Sequence, residues 1–469
     1  MFYVSELFVR FLTDREKTYA KVKDTSDNCV EVSSVAMLRK LHSVSIKGID
    51  LKGCKRVSDE ELLSAAKALA TLQQNTDFVY DEDISTKLTK CNSTNERIEV
   101  PYGITEIADE AFSKLTCTEI VLPDTVTTIG NSAFKDCTQL QKINIPPNVL
   151  YIEEYTFSGC RALEKIVIPE GVIAIERRAF GGCSALKEIE LPKYSLKEIG
   201  ADAFSNCSCL RAIDLPVSLE RLGRSLRDRP YDIGGVFKQC ESLERVVIPP
   251  KITAVEMRMF QFCYKLKQVI LPEGLTNIAA DSFYECITLE SLDIPSTVIA
   301  IGDGAFSRCR SLRTINFADT NNDWNIGRKI FTDSGLEAIT FPKRFFSKVG
   351  SYRHDYTTVS MFEGCTQLKT INIPNSIKCW VGEHMFEGCT QLKELVIPEG
   401  VIGIDTEAFL GCTSLEVITI PASVTKINKK IFEGCNNLKK IRCYQNTAGA
   451  KRAKGMKTAN KAIQIEYLG

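Results

Sequence analysis

The chain has 469 residues, of which 44% are hydrophobic and 25% charged, a composition that can bury a core and excludes a disordered chain. Lys+Arg and Asp+Glu are both 59, so the molecule as a whole exerts no net pull on nucleic acid or an anionic membrane. No stretch approaches the roughly 20 apolar residues of a spanning helix, and Met1 to Leu12 carry Glu6 and Arg10, unlike a secretory leader. The expected address is the cytoplasm if the sequence is complete, and the extracellular space or cell surface if an export signal has been removed.

Residues 1–95 lack the pattern that fills the rest of the chain. Short alternating runs, Val30 with Val32 and Val44 with Ile46, predict a small β-rich module. Ser58 with Glu61 forms a capping box, and Leu62, Ala65, Leu69 and Leu72 share one helical face, predicting a helix that seals the first turn of a repeat array.

From residue 96 to 444 the phrase L-x-x-I-x-I-P returns almost unchanged, as at Leu140 to Pro146, Leu163 to Pro169, Leu186 to Pro192 and Leu415 to Pro421. Between copies the chain reads V-x-x-I, then Ala-Phe, then Cys, cleanly at Val126, Ile129, Ala133, Phe134 and Cys137. The commonest step is 23 residues, a repeat-protein period. The paired apolar residues alternate, so both point into a core and the residue between them points out. Proline then ends the strand because it lacks the N–H that the ladder requires. One turn cannot cover its own Leu, Ile and Phe, so the next turn must stack on it. Fourteen to fifteen rungs are expected.

This consensus resembles the BspA-like leucine-rich repeats over about residues 96–444. The resemblance implies a right-handed leucine-rich-repeat coil, an α/β-type repeat solenoid that is predominantly β, and a role in adhesion or other protein binding.

Twelve of the 19 cysteines stand three residues after the repeat Phe, and Ser334 takes a thirteenth place. Equivalents stacked in parallel present their Cβ atoms side by side instead of face to face, the wrong arrangement for disulfides. A column of small buried thiols is expected. No C-x-x-C pair occurs, and His42, His354 and His384 are scattered, so no metal or other cofactor is expected. Cys389 lies near His384 in sequence but in the ladder position, and the remaining loose candidates for chemistry are His42, Asp14 and Glu16. Without a phosphate loop or hydrolase motif, the chain is expected not to be an enzyme and to have no small-molecule substrate.

Two intervals exceed the period. Phe204 to Phe237 spans 33 residues and carries Arg221, Arg224, Arg227, Arg229 and Tyr231. Phe331 to Phe362 spans 31 and carries Lys343, Arg344, Phe345, Phe346, Tyr352, Arg353, His354 and Tyr356. Insertions in repeat arrays gather on loops, and Arg with aromatics is what interfaces favour; both are candidate partner contacts. Outward strand positions form a second candidate surface, acidic at Glu188, Glu190 and Asp214, then uncharged at Thr314, Asn316, Thr340, Thr370, Asn372 and Thr419.

Residues 445–469 read as a C-terminal cap. Lys439 to Lys461 holds eight basic and no acidic residues. That run can contact phosphates but comes with no groove-reading motif, so nucleic acid is not the expected partner. Ile463, Ile465 and Tyr467 alternate as a last strand. The function expected is a scaffold for a protein ligand, the alternative a surface or secreted adhesin for host or matrix proteins.

Overall fold

The computed structural model describes residues 6–14, 17–24, 29–32, 45–50, 77–81, 86–224, 234–349, 358–375, 377–428, 430–459 and 462–468. The capping helix expected near Ser58 lies outside them, as do His42 and Glu16. The chain divides into two compact units, Met1–Ile175 with Ile189–Ser195, and Glu176–Glu188 with Leu196–Gly469.

The first unit opens with a four-stranded sheet, β1 (Glu6–Asp14), β2 (Lys17–Asp24), β3 (Cys29–Val32) and β4 (Ser45–Asp50), in the order β3-β2-β1-β4. The first three strands run antiparallel and β4 joins β1 in parallel. The β-rich module read from Val30, Val32 and Ile46 is therefore present as strands. Further along, Phe78–Tyr80 folds back antiparallel on Lys87–Cys91, and Lys87–Cys91 then pairs in parallel with Glu106–Ile107.

About 16 turns of a predominantly β solenoid come next, with little helix. Most turns supply two short strands; the turn at Ala212 makes only an isolated bridge to Arg245, and among the described residues no second strand stands between Ala338–Thr340 and Thr370–Asn372. Lys142–Ile143 pairs in parallel with Glu119–Val121 through the L-x-x-I phrase, and Thr128–Ile129 pairs with Glu106–Ile107 through V-x-x-I. In the second unit the same register holds, Arg245↔Gln268 with Val247↔Ile270. At the C-terminus the helix Ala448–Ala459 precedes a strand, Gln464–Tyr467, in register with Lys440–Cys443. That strand is a turn beyond those the prolines mark, because it ends without one.

The corner that carries the repeat Phe is built by backbone conformation. Arg258 and Phe262, two residues to either side of Phe260, sit at φ 58° and 64°, and the pattern recurs at Asp281 and Glu285 around Phe283. Such left-handed residues are costly without glycine. What holds them is a ladder: Arg258, Phe260 and Phe262 donate their N–H groups to the carbonyls of Ala280, Ser282 and Tyr284 at 3.0, 2.8 and 2.9 Å. The rings stack below it, Phe260 on Phe283 at 5.3 Å and Phe283 on Phe306 at 5.3 Å, all fully buried. Burying each ring contributes about 1.5–3 kcal/mol.

Candidate recognition surface

The recurring chemistry of the repeat is turned inward. Eleven of the twelve ladder cysteines donate their thiols to the carbonyl of the previous turn's Phe, among them Cys137 to Phe112 at 3.0 Å, Cys263 to Phe237 at 3.1 Å and Cys286 to Phe260 at 3.2 Å. Where Ser334 replaces cysteine, its hydroxyl meets Cys365 Sγ at 3.3 Å. The seventeen cysteines from Cys91 to Cys443 are free. Burial pushes Cys137, Cys240, Cys309 and Cys365 up to about 12, so these thiols stay protonated and are not nucleophiles. Cys389 makes the same bond, to Phe362 at 3.3 Å, and burial raises it too. His384 Nδ1 turns to Glu387 at 2.5 Å instead. Among the described residues no group of His, Cys, Asp and Glu is arranged to hold a metal ion, and no helix is long and apolar enough to cross a membrane.

The insertions divide into buried and exposed parts. Phe345 and Phe346 are core residues, a correction to their reading as partner contacts. Phe345 lies 4.4 Å from Phe341 and 5.2 Å from Trp324, and Phe346 lies 5.2 Å from Phe341. Two adjacent aromatics on a loop bury more area by folding under it than by facing water. Arg344 stays exposed and donates from Nε to Asp323 at 2.6 Å, and Lys343 is exposed beside it. In the first insertion Arg221 belongs to the strand Arg221–Leu222 and is paired with the mostly buried Glu198. Arg224 is exposed, 3.9 Å from Glu256. Arg227, Arg229, Tyr231, Tyr352, Arg353, His354 and Tyr356 lie outside the described residues.

The outward strand positions are exposed as the alternation requires. In the first unit Glu190 pairs with Lys165 at 2.7 Å, and a shallow groove of about 410 Å³ runs over Glu119–Val121, Lys142–Asn144 and Lys165–Val167. In the second unit Glu188, Asp214, Thr314, Asn316, Thr340, Thr370 and Asn372 face solvent, and Thr419 is half-buried. A groove of about 450 Å³ crosses Gln268–Leu271, Ser291–Pro295 and Asn316–Ala318. Asn316 donates to Asp293 at 2.8 Å and Arg245 to Gln268 at 3.0 Å along it.

The residues that reasoning from sequence missed are apolar and outward. Val247 and Ile270 stand in register on neighbouring strands, each 40% exposed, and Val167 is 49% exposed in the first unit. The signal was available: V-V-I-P, V-I-L-P and I-V-I-P hold three apolar residues in a row, and in a strand the middle one must face away from its neighbours.

The sequence profile of the BspA type leucine-rich repeat region matches residues 89–226, 234–358 and 357–452, in 6 copies. A leucine-rich repeat protein from Bacteroides ovatus is similar at 26% identity over 84% of this chain and 99% of its own, with a TM-score of 0.63. A leucine-rich cell surface protein from Faecalibacterium prausnitzii is 26% identical over 81% of this chain and 96% of its own, with a TM-score of 0.40. No curated protein matches.

Proposed function

We propose, from the premise that this chain belongs to the BspA-type leucine-rich-repeat family, that it is a non-enzymatic recognition scaffold whose outward strand face holds a protein ligand. The observation that carries this is the Val247–Ile270 pair, an exposed apolar patch beside the polar groove of the second unit. Apolar residues rimmed by hydrogen-bonding groups mark interaction surfaces, and the groove offers short side chains that cost little entropy to immobilise. Arg224, Lys343, Arg344, Glu188 and Asp214 of the second unit are exposed and serve as its polar periphery. In this scheme residues 1–95 form an N-terminal module, 96–444 the recognition array and 445–469 the cap.

The test is capture of partners from lysate and from purified matrix proteins by the intact chain and by a Val247→Arg/Ile270→Arg variant. The scaffold reading expects a specific protein that the variant loses while its thermal melt is unchanged. Retention of every captured protein by the variant overturns the assignment to this face. Selective capture of matrix proteins favours the adhesin alternative.

A further inference from the structure

The groove on the strand face of the second unit lies where that face is not continuously bonded. Arg245–Val247 pairs with Gln268–Ile270, and Ser291–Ile294 with Thr314–Phe317, but the two pairs belong to separate sheets. Ile248 donates its N–H to the carbonyl of Ile270 at 2.9 Å, whereas Leu271, in the same place one turn on, donates to no carbonyl among the described residues. The groove of about 450 Å³ follows this parting of the rungs.

Its charge has one sign. Asp293 and Glu273 line it with Ile270, Leu271, Ser291 and Asn316, and among the described residues no Lys, Arg or His does. Cations of the neighbouring turns are held elsewhere, Lys267 on Glu244 at 3.1 Å and Arg313 on Glu337 at 2.6 Å, while Arg245 turns to the Gln268 amide oxygen at 3.0 Å. Asp293 accepts from the Asn316 amide at 2.8 Å through one of its two oxygens.

Glu273 differs from its counterparts. The phrase P-E-G occurs three times, at Glu170, Glu273 and Glu399. Glu170 accepts the N–H groups of Lys193 and Tyr194 at 2.9 and 3.4 Å, and Glu399 those of Ala422 and Ser423 at 3.2 Å each, so both carboxylates fasten the following turn. The Glu273 carboxylate accepts no bond among the described residues and faces the groove instead. The turn beneath it forgoes a fastening that the other two have.

We propose, resting on the strand-face scaffold reading, that this groove takes a basic peptide segment in which an apolar residue stands two places before Lys or Arg. Val247, Ile270 and Asp293 hold one outward place in successive turns, 23 residues apart. With rungs about 4.8 Å apart, the middle of the Val247–Ile270 patch lies roughly 7 Å from Asp293, close to the span of two residues in an extended chain. The apolar side chain covers the patch, and the cation meets the Asp293 and Glu273 carboxylates, whose uncompensated charge selects its sign.

The probe is a fluorescein-labelled octapeptide of Leu, Ser and Lys with Leu and Lys two places apart and both ends blocked, titrated into the full chain and followed by anisotropy. Asp293→Asn/Glu273→Gln preserves shape and is expected to weaken binding about ten-fold at an unchanged melting temperature; added salt is expected to weaken it in the parent chain. Unchanged affinity in that variant, or equal binding of a peptide with Glu for Lys, overturns the proposal. Equal binding of a peptide with Ser for Leu reduces the groove to an acidic patch and overturns the pattern. Dimerisation that the variant abolishes, without peptide binding, assigns the groove to a second copy and overturns it too. In the capture experiment, a protein lost by Val247→Arg/Ile270→Arg but kept by Asp293→Asn/Glu273→Gln leaves the strand-face scaffold standing and removes the basic segment, so the two readings fail separately.

Discussion

The corner and the outward strand face of the second unit are built from the same turns and behave as opposites. At the corner turn after turn repeats one arrangement, a buried Phe between two left-handed residues with a thiol on the previous turn's carbonyl, Ser334 standing in for the thiol in one turn. On the strand face neighbouring turns differ at each outward place: Arg245 and Val247, Gln268 and Ile270, Ser291 and Asp293, Thr314 and Asn316. A position that repeats is answering to the turn stacked on it. A position that varies while remaining exposed is released from that demand, which is why specificity is sought on the strands and not among the cysteines.

The comparison is attacked most directly by cutting the corner. Phe260→Ala removes a ring stacked between Phe237 and Phe283 and is expected to cost about 3–5 kcal/mol by urea denaturation; a loss no larger than that of a surface substitution would show that the turns are held by their strands alone. Alkali attacks the same corner through its thiols. In the folded chain Cys240 and Cys309 are raised to about 12 from an ordinary value of 9.0, so the unfolded chain releases these protons first. Their contribution is fully present below pH 9 and falls away as the pH climbs toward 12, by up to about 1.4 kcal/mol per unit for each such thiol. A melting temperature flat from pH 9 to 12 would contradict it.

Smaller effects sharpen the contrast. Cys263→Ala deletes the thiol donor to Phe237 and is expected to cost about 1–2 kcal/mol, whereas Cys263→Ser, which keeps a donor as Ser334 does, should cost less. Equal losses would assign the column to packing only. At the far end of the scale, Thr314→Ala on the strand face is expected to shift stability by about 0.5 kcal/mol or less. A larger effect would mean that the outward positions are structural after all.

Much of this was legible in the sequence, and the reason differs from residue to residue. Leu163, Ile166 and Ile168 are buried where the alternation placed them, since period two fixes a face without knowledge of the partner strand. Phe134 and Cys137 were readable as a column because repetition at one place in the turn implies stacking. The left-handed backbone at Arg258, Phe262 and Glu285 was not, because these residues carry no local preference for it and the ladder between turns overrides their propensity. Phe345 and Phe346 misled for a related reason: a loop aromatic looks the same whether it faces a partner or a neighbouring Trp324. The strand face was located, but its apolar members Val247 and Ile270 went unread, because an apolar residue inside an apolar run counts as core until the pleat is drawn.

One-way hydrogen bonding at the corner has an electrical consequence. Throughout the second unit the corner N–H groups point toward the following turn, from Asp202 and Phe204 onward to Phe409 and Gly411. Peptide dipoles that share a direction add, as they do along a helix axis. At the last corner the N–H groups of Phe432 and Gly434 donate to no carbonyl among the described residues, so the column terminates there in partial positive charge. The corner column is thus polarised whatever its side chains carry, and lengthening it by one 23-residue period moves that charged end without changing its sign.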